Sequence, residues 1–175
     1  MVTDLKKYIE LIDETRWGSL DDVKFEQEVG VSLRRNHQVT KDQLQGMVDW
    51  KYSDKQYYIK RVNKILENVN DAEIREVTKF ALQMSLDNYK VKLLCTIPGV
   101  GPTLASIILA FYDPYNYGIF DQSIWDQLFT DEKRNMTVDG YLKTLEHLRD
   151  LAKQHNVPVR IIDMALRTKD MIDNS

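Results

Sequence analysis

The chain has 175 residues, of which 43% are hydrophobic and 29% charged, and its formal net charge is −3. This length suits a single hydrophobic core, so we expect residues 1–175 to form one domain. The one cysteine, Cys95, excludes an internal disulfide, a cysteine-ligated zinc site and a four-cysteine iron–sulfur cluster. We therefore expect neither a metal ion nor another cofactor.

The most apolar stretch of the sequence lies between residues 104 and 112, and it is far shorter than the roughly 20 residues of a membrane-spanning helix. The first residues lack the basic-then-apolar pattern of a secretory signal. From both observations we expect a cytoplasmic protein that does not enter a membrane.

Charge is spread unevenly along the chain. Residues 31–100 carry 12 basic and 8 acidic residues, whereas the segments on either side are net acidic. Because salt screens charges beyond roughly 10 Å, such a basic zone can follow phosphates even in a protein of negative total charge. A solvated helical face explains the same pattern equally well.

Apolar residues recur at helical spacing along most of the chain, and no segment alternates long enough to indicate a clear strand. Thr3 is predicted to cap a first helix, and Ser19 a short second helix. Residues 30–36 hint at an extended piece, because the apolar residues at their start alternate with polar ones.

Four further helices are predicted between residues 40 and 96. Thr40 and Gln43 have the spacing of a capping box, which begins a helix that runs to Lys51. Another helix begins near Asp54, and Asp71 is predicted to cap the one that follows. A fourth covers about residues 89–96.

Prolines and glycines at 98–102 separate these helices from the second half of the chain. Predicted there are an apolar helix to about residue 112, a loop over 113–118, and helices at about 121–129, 138–154 and from 158. The chain therefore predicts a compact all-α fold of eight to ten helices.

The sharpest local chemistry lies in the turn before residue 102. Pro98, Gly99, Val100 and Gly101 predict a tight turn, and Pro102 suits the first position of the next helix. Backbone amides at such a helix N-terminus bind an anion, because they donate hydrogen bonds and the helix dipole adds positive potential. The same residues also fit a hairpin that only reverses the chain.

Residues 97–105 resemble the hairpin of the helix-hairpin-helix DNA glycosylase superfamily. In that superfamily a loop rich in glycine and proline follows the second helix and leads to an aspartate, and here residues 113–118 lead to Asp121. The resemblance covers about residues 40–130 and places the hairpin at 94–112. It implies an all-α fold of the helix-hairpin-helix glycosylase type, DNA as the partner and Asp121 as the catalytic residue of a base-excision N-glycosylase.

The resemblance also implies which residues contact DNA. Gly99, Val100, Gly101 and Thr103 are expected on the sugar–phosphate backbone, and Lys51 is expected to contribute to the same interface. Glycosylases of this superfamily that also nick the strand carry a lysine where this chain has Thr103. The resemblance therefore implies a monofunctional enzyme that uses water.

Within the superfamily the chain resembles an uncharacterised bacterial branch. That branch has a Trp-Lys pair before a Pro-Gly-Val-Gly-Pro hairpin and a Phe-Asp pair after it; here these are Trp50-Lys51 and Phe120-Asp121. This resemblance implies a shared fold and no activity. Residues 1–39 do not match the family helix that supplies an intercalating residue, so no such residue is assigned.

Asp121 suits the chemistry of N-glycosidic bond cleavage, because a carboxylate stabilises positive charge that builds on the sugar. It also precedes Gln122-Ser123-Ile124 in the position of a helix N-cap, and the two roles are compatible. A non-catalytic nucleic-acid-binding module and a protein-interaction domain are the alternative functions.

Two groups of aromatic residues allow both a functional and a structural interpretation. One group alternates with basic residues and either stacks on bases or packs in the core: Trp50, Tyr52, Tyr57 and Tyr58. The other flanks Asp121 and either walls a base pocket or packs the loop against the bundle: Tyr112, Tyr115, Tyr117 and Trp125.

Overall fold

A computed structural model describes residues 5–12 and 20–173, and all regular structure in these ranges is α-helical. The all-α prediction is therefore confirmed. The helices are α1 (Lys6–Leu11), α2 (Leu20–Asn36), α3 (Lys41–Lys51), α4 (Gln56–Glu67), α5 (Asp71–Gln83), α6 (Asp87–Leu94), α7 (Pro102–Tyr112), α8 (Gln122–Leu128), α9 (Val138–His155) and α10 (Val159–Asp173). The predicted caps Thr3 and Ser19 lie outside the described residues.

Helix α2 is 17 residues long and continues through residues 30–36. The predictions of a short second helix and of an extended piece at 30–36 are therefore wrong. Val29 and Leu33 are buried one helical turn apart, whereas Val31 between them is 50% exposed. The apparent alternation therefore arose from one solvent-facing valine. Gly30 lies so close to α7 that an added Cβ would stand 2.7 Å from the carbonyl oxygen of Phe111.

The observed starts of α3 and α5 can be compared with the caps that the sequence predicts. The Thr40 hydroxyl accepts from the Gln43 amide at 3.0 Å and the Gln43 side chain accepts from the Thr40 amide at 2.9 Å, which confirms the capping box of α3. The cap predicted at Asp71 is wrong by one residue, since the Asn70 side chain accepts from the Ala72 amide at 2.8 Å. Asp71 instead accepts from the Lys41 amide at 2.7 Å and so joins α5 to α3.

Helix α7 forms the centre of the core, because every residue from 104 to 111 is buried. It packs against α2, α3, α6 and α9. An apolar helix surrounded by four others cannot present a polar face, which explains why residues 104–111 are almost entirely hydrophobic. The two ends of α7 are thus the parts of it from which a ligand can be reached. Among the described residues, no helix combines the length and the apolar character needed to cross a membrane.

Candidate functional site

The predicted hairpin is present as α6, a tight turn and α7. Gly99 adopts a positive φ of 86°, a conformation that glycine reaches without steric cost. Gly101 is the N-cap of α7 in an extended conformation, and Pro102 occupies the first helical turn. Gly99 and Pro102 therefore have the conformational roles that the sequence indicated, whereas Gly101 has an extended conformation that any residue adopts.

Of the two glycines in the turn, Gly99 packs against α4 and Gly101 faces open space. A Cβ added to Gly99 would stand 3.4 Å from side-chain atoms of Val62 and Ile65 in α4, whereas nothing lies within 4 Å of one added to Gly101. The backbone amides of the turn also differ in whether they have a hydrogen-bond acceptor. The Val100 amide donates to the Ile97 carbonyl at 2.9 Å, and the Val100 side chain is only 5% exposed.

Four amides of the turn and of the first turn of α7 lack an acceptor within the described part of the chain: those of Gly99, Gly101, Thr103 and Leu104. Gly101 has no side chain that could accept from them, so they are orphan donors of a helix N-terminus. Such donors are available to an anion. Val100, although named in the sequence prediction, offers neither a free amide nor an exposed side chain.

A groove with basic sides runs beside the turn. It has a volume of about 590 Å³ and is lined by Arg61, Lys64, Ile65, Asn68, Val69 and Pro98. Arg61 and Lys64 belong to α4 and are exposed, as are Lys55 and Lys60 near the start of the same helix. Part of the basic zone found in the sequence is therefore a solvated face of α4 that borders the hairpin.

Asp121 caps α8 and forms an ion pair at the same time. Its Oδ1 accepts from the Ile124 amide at 3.1 Å and from the Ser123 hydroxyl at 2.9 Å. Its Oδ2 accepts from the Lys51 ammonium at 2.6 Å. The two side chains are only 17% and 9% exposed, so this ion pair is largely desolvated. The cap predicted from the sequence is confirmed.

The environment keeps Asp121 ionised. Burial by itself raises the pKa of a carboxyl group, but the charge and hydrogen bond of Lys51, together with Arg167 and the Ile124 amide, lower the pKa of Asp121 to about 2. Burial also lowers the pKa of Lys51 below its ordinary value, and the nearby carboxylate opposes that change. At neutral pH Asp121 is therefore a carboxylate.

Two buried hydrogen bonds place the segment that carries Asp121. The Phe120 amide donates to the Ser106 hydroxyl at 2.9 Å, and this hydroxyl donates to the Thr103 carbonyl at 2.6 Å. The Ile119 amide donates to a carboxylate oxygen of Asp163 in α10 at 2.9 Å. Ser106 thus links the start of the hairpin helix to the residue that precedes the candidate catalytic group.

Asp121 opens into a cleft of about 610 Å³. The wall of the cleft includes Lys51, Tyr52, Asp54, Lys55, Tyr58, Thr103, Asp121, Gln122, Ser123, Asp126, Arg134, Met136, Arg167, Asp170 and Met171. Thr103 of the hairpin helix, Lys51 and Asp121, three of the predicted site residues, therefore share one cavity. Gly99, Val100 and Gly101 are not part of its wall.

The charges of the cleft are balanced. Within the described chain its wall carries four basic and four acidic side chains, and Arg134 pairs with Asp126. The lining of the cleft therefore has no net positive charge that would attract DNA. The net positive surface near the hairpin is the adjoining face of α4 instead.

The aromatic residues predicted to wall a pocket pack elsewhere. Tyr117 and Trp125 are buried in the core, whereas Tyr112 and Tyr115 border a different groove, beside Arg34. The structural interpretation is therefore correct for Tyr117 and Trp125. Tyr112 packs partly buried against the core, and Tyr115 is 72% exposed and lines no part of the Asp121 cleft. Trp50 also packs in the core, edge-on against Phe111.

Sequence reasoning missed the pairing of Lys51 with Asp121, although one signal pointed to the burial of Lys51. Lys51 stands three residues after Val48 and four after Met47, which are both buried, so Lys51 continues the buried face of α3. A basic residue in such a position needs a carboxylate partner. Which carboxylate it meets depends on the approach of α8, which local spacing does not reveal.

Among the described residues, no group of three His, Cys, Asp or Glu side chains is arranged to hold a metal ion. Comparisons of the chain with protein-family models, with curated proteins and with solved structures found no match. The relation to helix-hairpin-helix glycosylases accordingly stays a prediction from the sequence.

Proposed function

We propose that this chain binds DNA through its hairpin and the adjoining face of α4, and that it acts as a monofunctional base-excision N-glycosylase with Asp121 as the catalytic carboxylate. One observation carries the proposal: Thr103 at the start of the hairpin helix and Asp121 line the same cleft of about 610 Å³. A strand held at the hairpin therefore passes within reach of an ionised carboxylate.

The binding step rests on two kinds of donor next to each other. The free amides at the start of α7 fit a phosphate oxygen, and Arg61 and Lys64 flank the same turn across the groove at Pro98. None of these groups distinguishes one base from another. The interface therefore holds the DNA backbone, and the choice of base belongs to the cleft.

The chemical step breaks the bond between C1′ of the deoxyribose and the base nitrogen. The bonding electrons leave with the base, and the sugar ring gains oxocarbenium character. Oδ2 of Asp121 carries one hydrogen bond, so a lone pair remains to stabilise that positive charge. Water then adds at C1′ and gives up a proton to solvent, and the departing base nitrogen takes up a proton from solvent, which leaves a free base and an abasic sugar.

The low pKa of Asp121 decides which catalytic role it takes. A carboxylate with a pKa of about 2 is a weak base at neutral pH, so it is poorly suited to remove a proton from water. Stabilisation of the developing cation needs only that the group be charged. We therefore assign Asp121 an electrostatic role rather than general-base catalysis.

A second candidate is a module that binds DNA without catalysis. The observation that favours it is the engagement of both oxygens of Asp121, by Lys51 on one side and by the cap of α8 on the other. A purely structural ion pair would look the same. Binding and base release therefore have to be measured separately.

Binding is tested by titrating duplex DNA at several salt concentrations. We expect Arg61→Ala with Lys64→Ala to weaken binding and to lower the slope of log K against log salt by about 1 for each cation removed. The control is Lys153→Ala, which removes an exposed lysine of α9 that lines neither the groove nor the cleft. No binding at low salt would exclude DNA as the partner.

Catalysis is tested by the release of bases from a panel of damaged and mismatched duplexes. Asp121→Asn is expected to lose base release while DNA binding stays within about twofold, and the double variant Lys51→Met with Asp121→Asn is expected to lose base release as well. Asp126→Asn alters another carboxylate of the same cleft and is expected to keep activity. Base release that survives both Asp121 variants would remove Asp121 from the mechanism, whereas a wild-type protein that binds DNA and releases no base would be the binding module alone.

The products also test the monofunctional assignment. With Thr103 at the lysine position, the strand should remain intact until the abasic site is cleaved with alkali. Strand cleavage without alkali would contradict this assignment and would point to an amine in the cleft, of which Lys51 is the nearest to Asp121.

A further inference from the structure

Three tyrosines gather at the start of α4. The rings of Tyr52 and Tyr58 stack with centroids 5.5 Å apart and an interplanar angle of 19°. Tyr57 meets Tyr58 edge-on at 5.9 Å. Tyr58 is 47% exposed and Tyr57 is 71% exposed, so neither ring is needed to fill the core.

The position of this stack links it to the cleft. Tyr52 and Tyr58 are part of the cleft wall, and Lys55, which precedes α4, lies between them in the sequence and lines the same cleft. The rings therefore offer flat apolar surface in a cavity whose other walls are mostly polar and charged. Aromatic faces beside a cation suit a nucleobase, which needs a stacking surface, and its phosphate, which needs a positive charge.

We propose that Tyr58, supported by Tyr52, is a stacking site for an unpaired nucleobase of the bound strand, with Lys55 on a neighbouring phosphate. This inference rests on the proposed function, because it needs DNA at the hairpin. It names the form of the substrate: a base outside the helical stack, in a mismatch, at a lesion or in a single strand. A fully paired base presents no free face to the ring.

Tyr52 and Tyr58 are already stacked on each other in the protein without DNA. Tyr52 already covers one side of Tyr58, so stacking a base against the pair does not require either ring to be ordered from a free state. A tyrosine also contributes a large contact area for few rotatable bonds. Removal of the Tyr58 ring should therefore affect unpaired bases far more than paired duplex.

The test compares two duplexes that differ at one position, which holds 2-aminopurine either paired with thymine or opposite an abasic site. Stacking on an aromatic ring quenches 2-aminopurine fluorescence, and titration gives the affinity for each duplex. We expect the wild-type protein to bind the unpaired duplex more tightly and to quench it. Tyr58→Phe should retain both effects because it keeps the ring.

Tyr58→Leu should lose about tenfold in affinity for the unpaired duplex, together with the quenching, and should bind the paired duplex as before. Tyr115→Leu is the control, since Tyr115 is 72% exposed but borders a different groove. Equal preference for the unpaired base in the wild-type protein and in Tyr58→Leu would overturn the stacking site while DNA binding stands. Absence of binding to both duplexes would overturn the proposed function and this inference together.

Discussion

The ion pair between Lys51 and Asp121 is expected to stabilise the fold, and Lys51→Met tests this. The substitution keeps the apolar length of the side chain and removes the ammonium group that is hydrogen-bonded to Asp121, which is only 17% exposed. Removal of one partner from a buried pair costs about 3–5 kcal/mol, because the remaining charge stays desolvated. For a chain of this length each kcal/mol corresponds to about 2–4 °C, so Tm should fall by about 6–20 °C.

The same pair predicts a specific acid dependence. The folded state lowers the pKa of Asp121 to about 2 from its ordinary 3.8, so the unfolded chain takes up this proton first as the pH falls. The stabilisation is present in full above about pH 4 and is lost between about pH 4 and pH 2. The difference in pKa corresponds to about 2 kcal/mol at neutral pH. In Lys51→Met this loss should shrink, because lysine is the main group that lowers the pKa.

Urea unfolding followed by circular dichroism at pH 7 and at pH 3 measures both effects. The double variant Lys51→Met with Asp121→Asn is the control, since it leaves no lone buried charge and should recover most of the stability at pH 7. A loss below about 1 kcal/mol in Lys51→Met would contradict a desolvated ion pair, because a solvated pair contributes no more than that. So would an equal acid dependence in the wild-type protein and in Lys51→Met.

Two further predictions concern the hairpin. Gly99→Ala should destabilise the protein by about 1 kcal/mol or more because its φ is positive, whereas Gly101→Ser should be close to neutral because serine is favoured at an N-cap and Gly101 faces open space; thermal unfolding distinguishes them, and an equal loss in both would contradict the turn geometry. Ser106→Ala should cost about 1–3 kcal/mol in urea unfolding, because the buried Phe120 amide loses its acceptor. If Ser106→Ala is as stable as the wild-type protein, the proposed link between α7 and the Asp121 segment is wrong.

Local signals identified most of the helices and the hairpin. Capping at Thr40 and at Asp121, and the turn at 98–102, depend on side chains and backbone conformations within a few residues of each other. Such interactions are visible in the sequence because the residues that make them are neighbours in it. The errors were also local: an exposed valine in α2 imitated the period of a strand, and the cap of α5 is Asn70, one residue before the predicted Asp71.

The contents of the cleft could not be predicted in the same way. Lys51 and Asp121 lie 70 residues apart, and their contact depends on how α3, α7 and α8 pack. The aromatic residues nearest to Asp121 in the sequence proved to be core, while Tyr58, far from it in the sequence, lines the cleft. Helix periodicity shows which face of a helix is buried and not which other helix covers it.

The helical class, the hairpin and the helix cap at Asp121 are therefore encoded locally, because each follows from short-range sterics and hydrogen bonding. That the hairpin helix, the ion pair and the tyrosine stack border one cavity became visible only in the folded chain. That outcome is a consequence of long-range packing around α7, in which side chains from distant segments meet because their helices bury a common core.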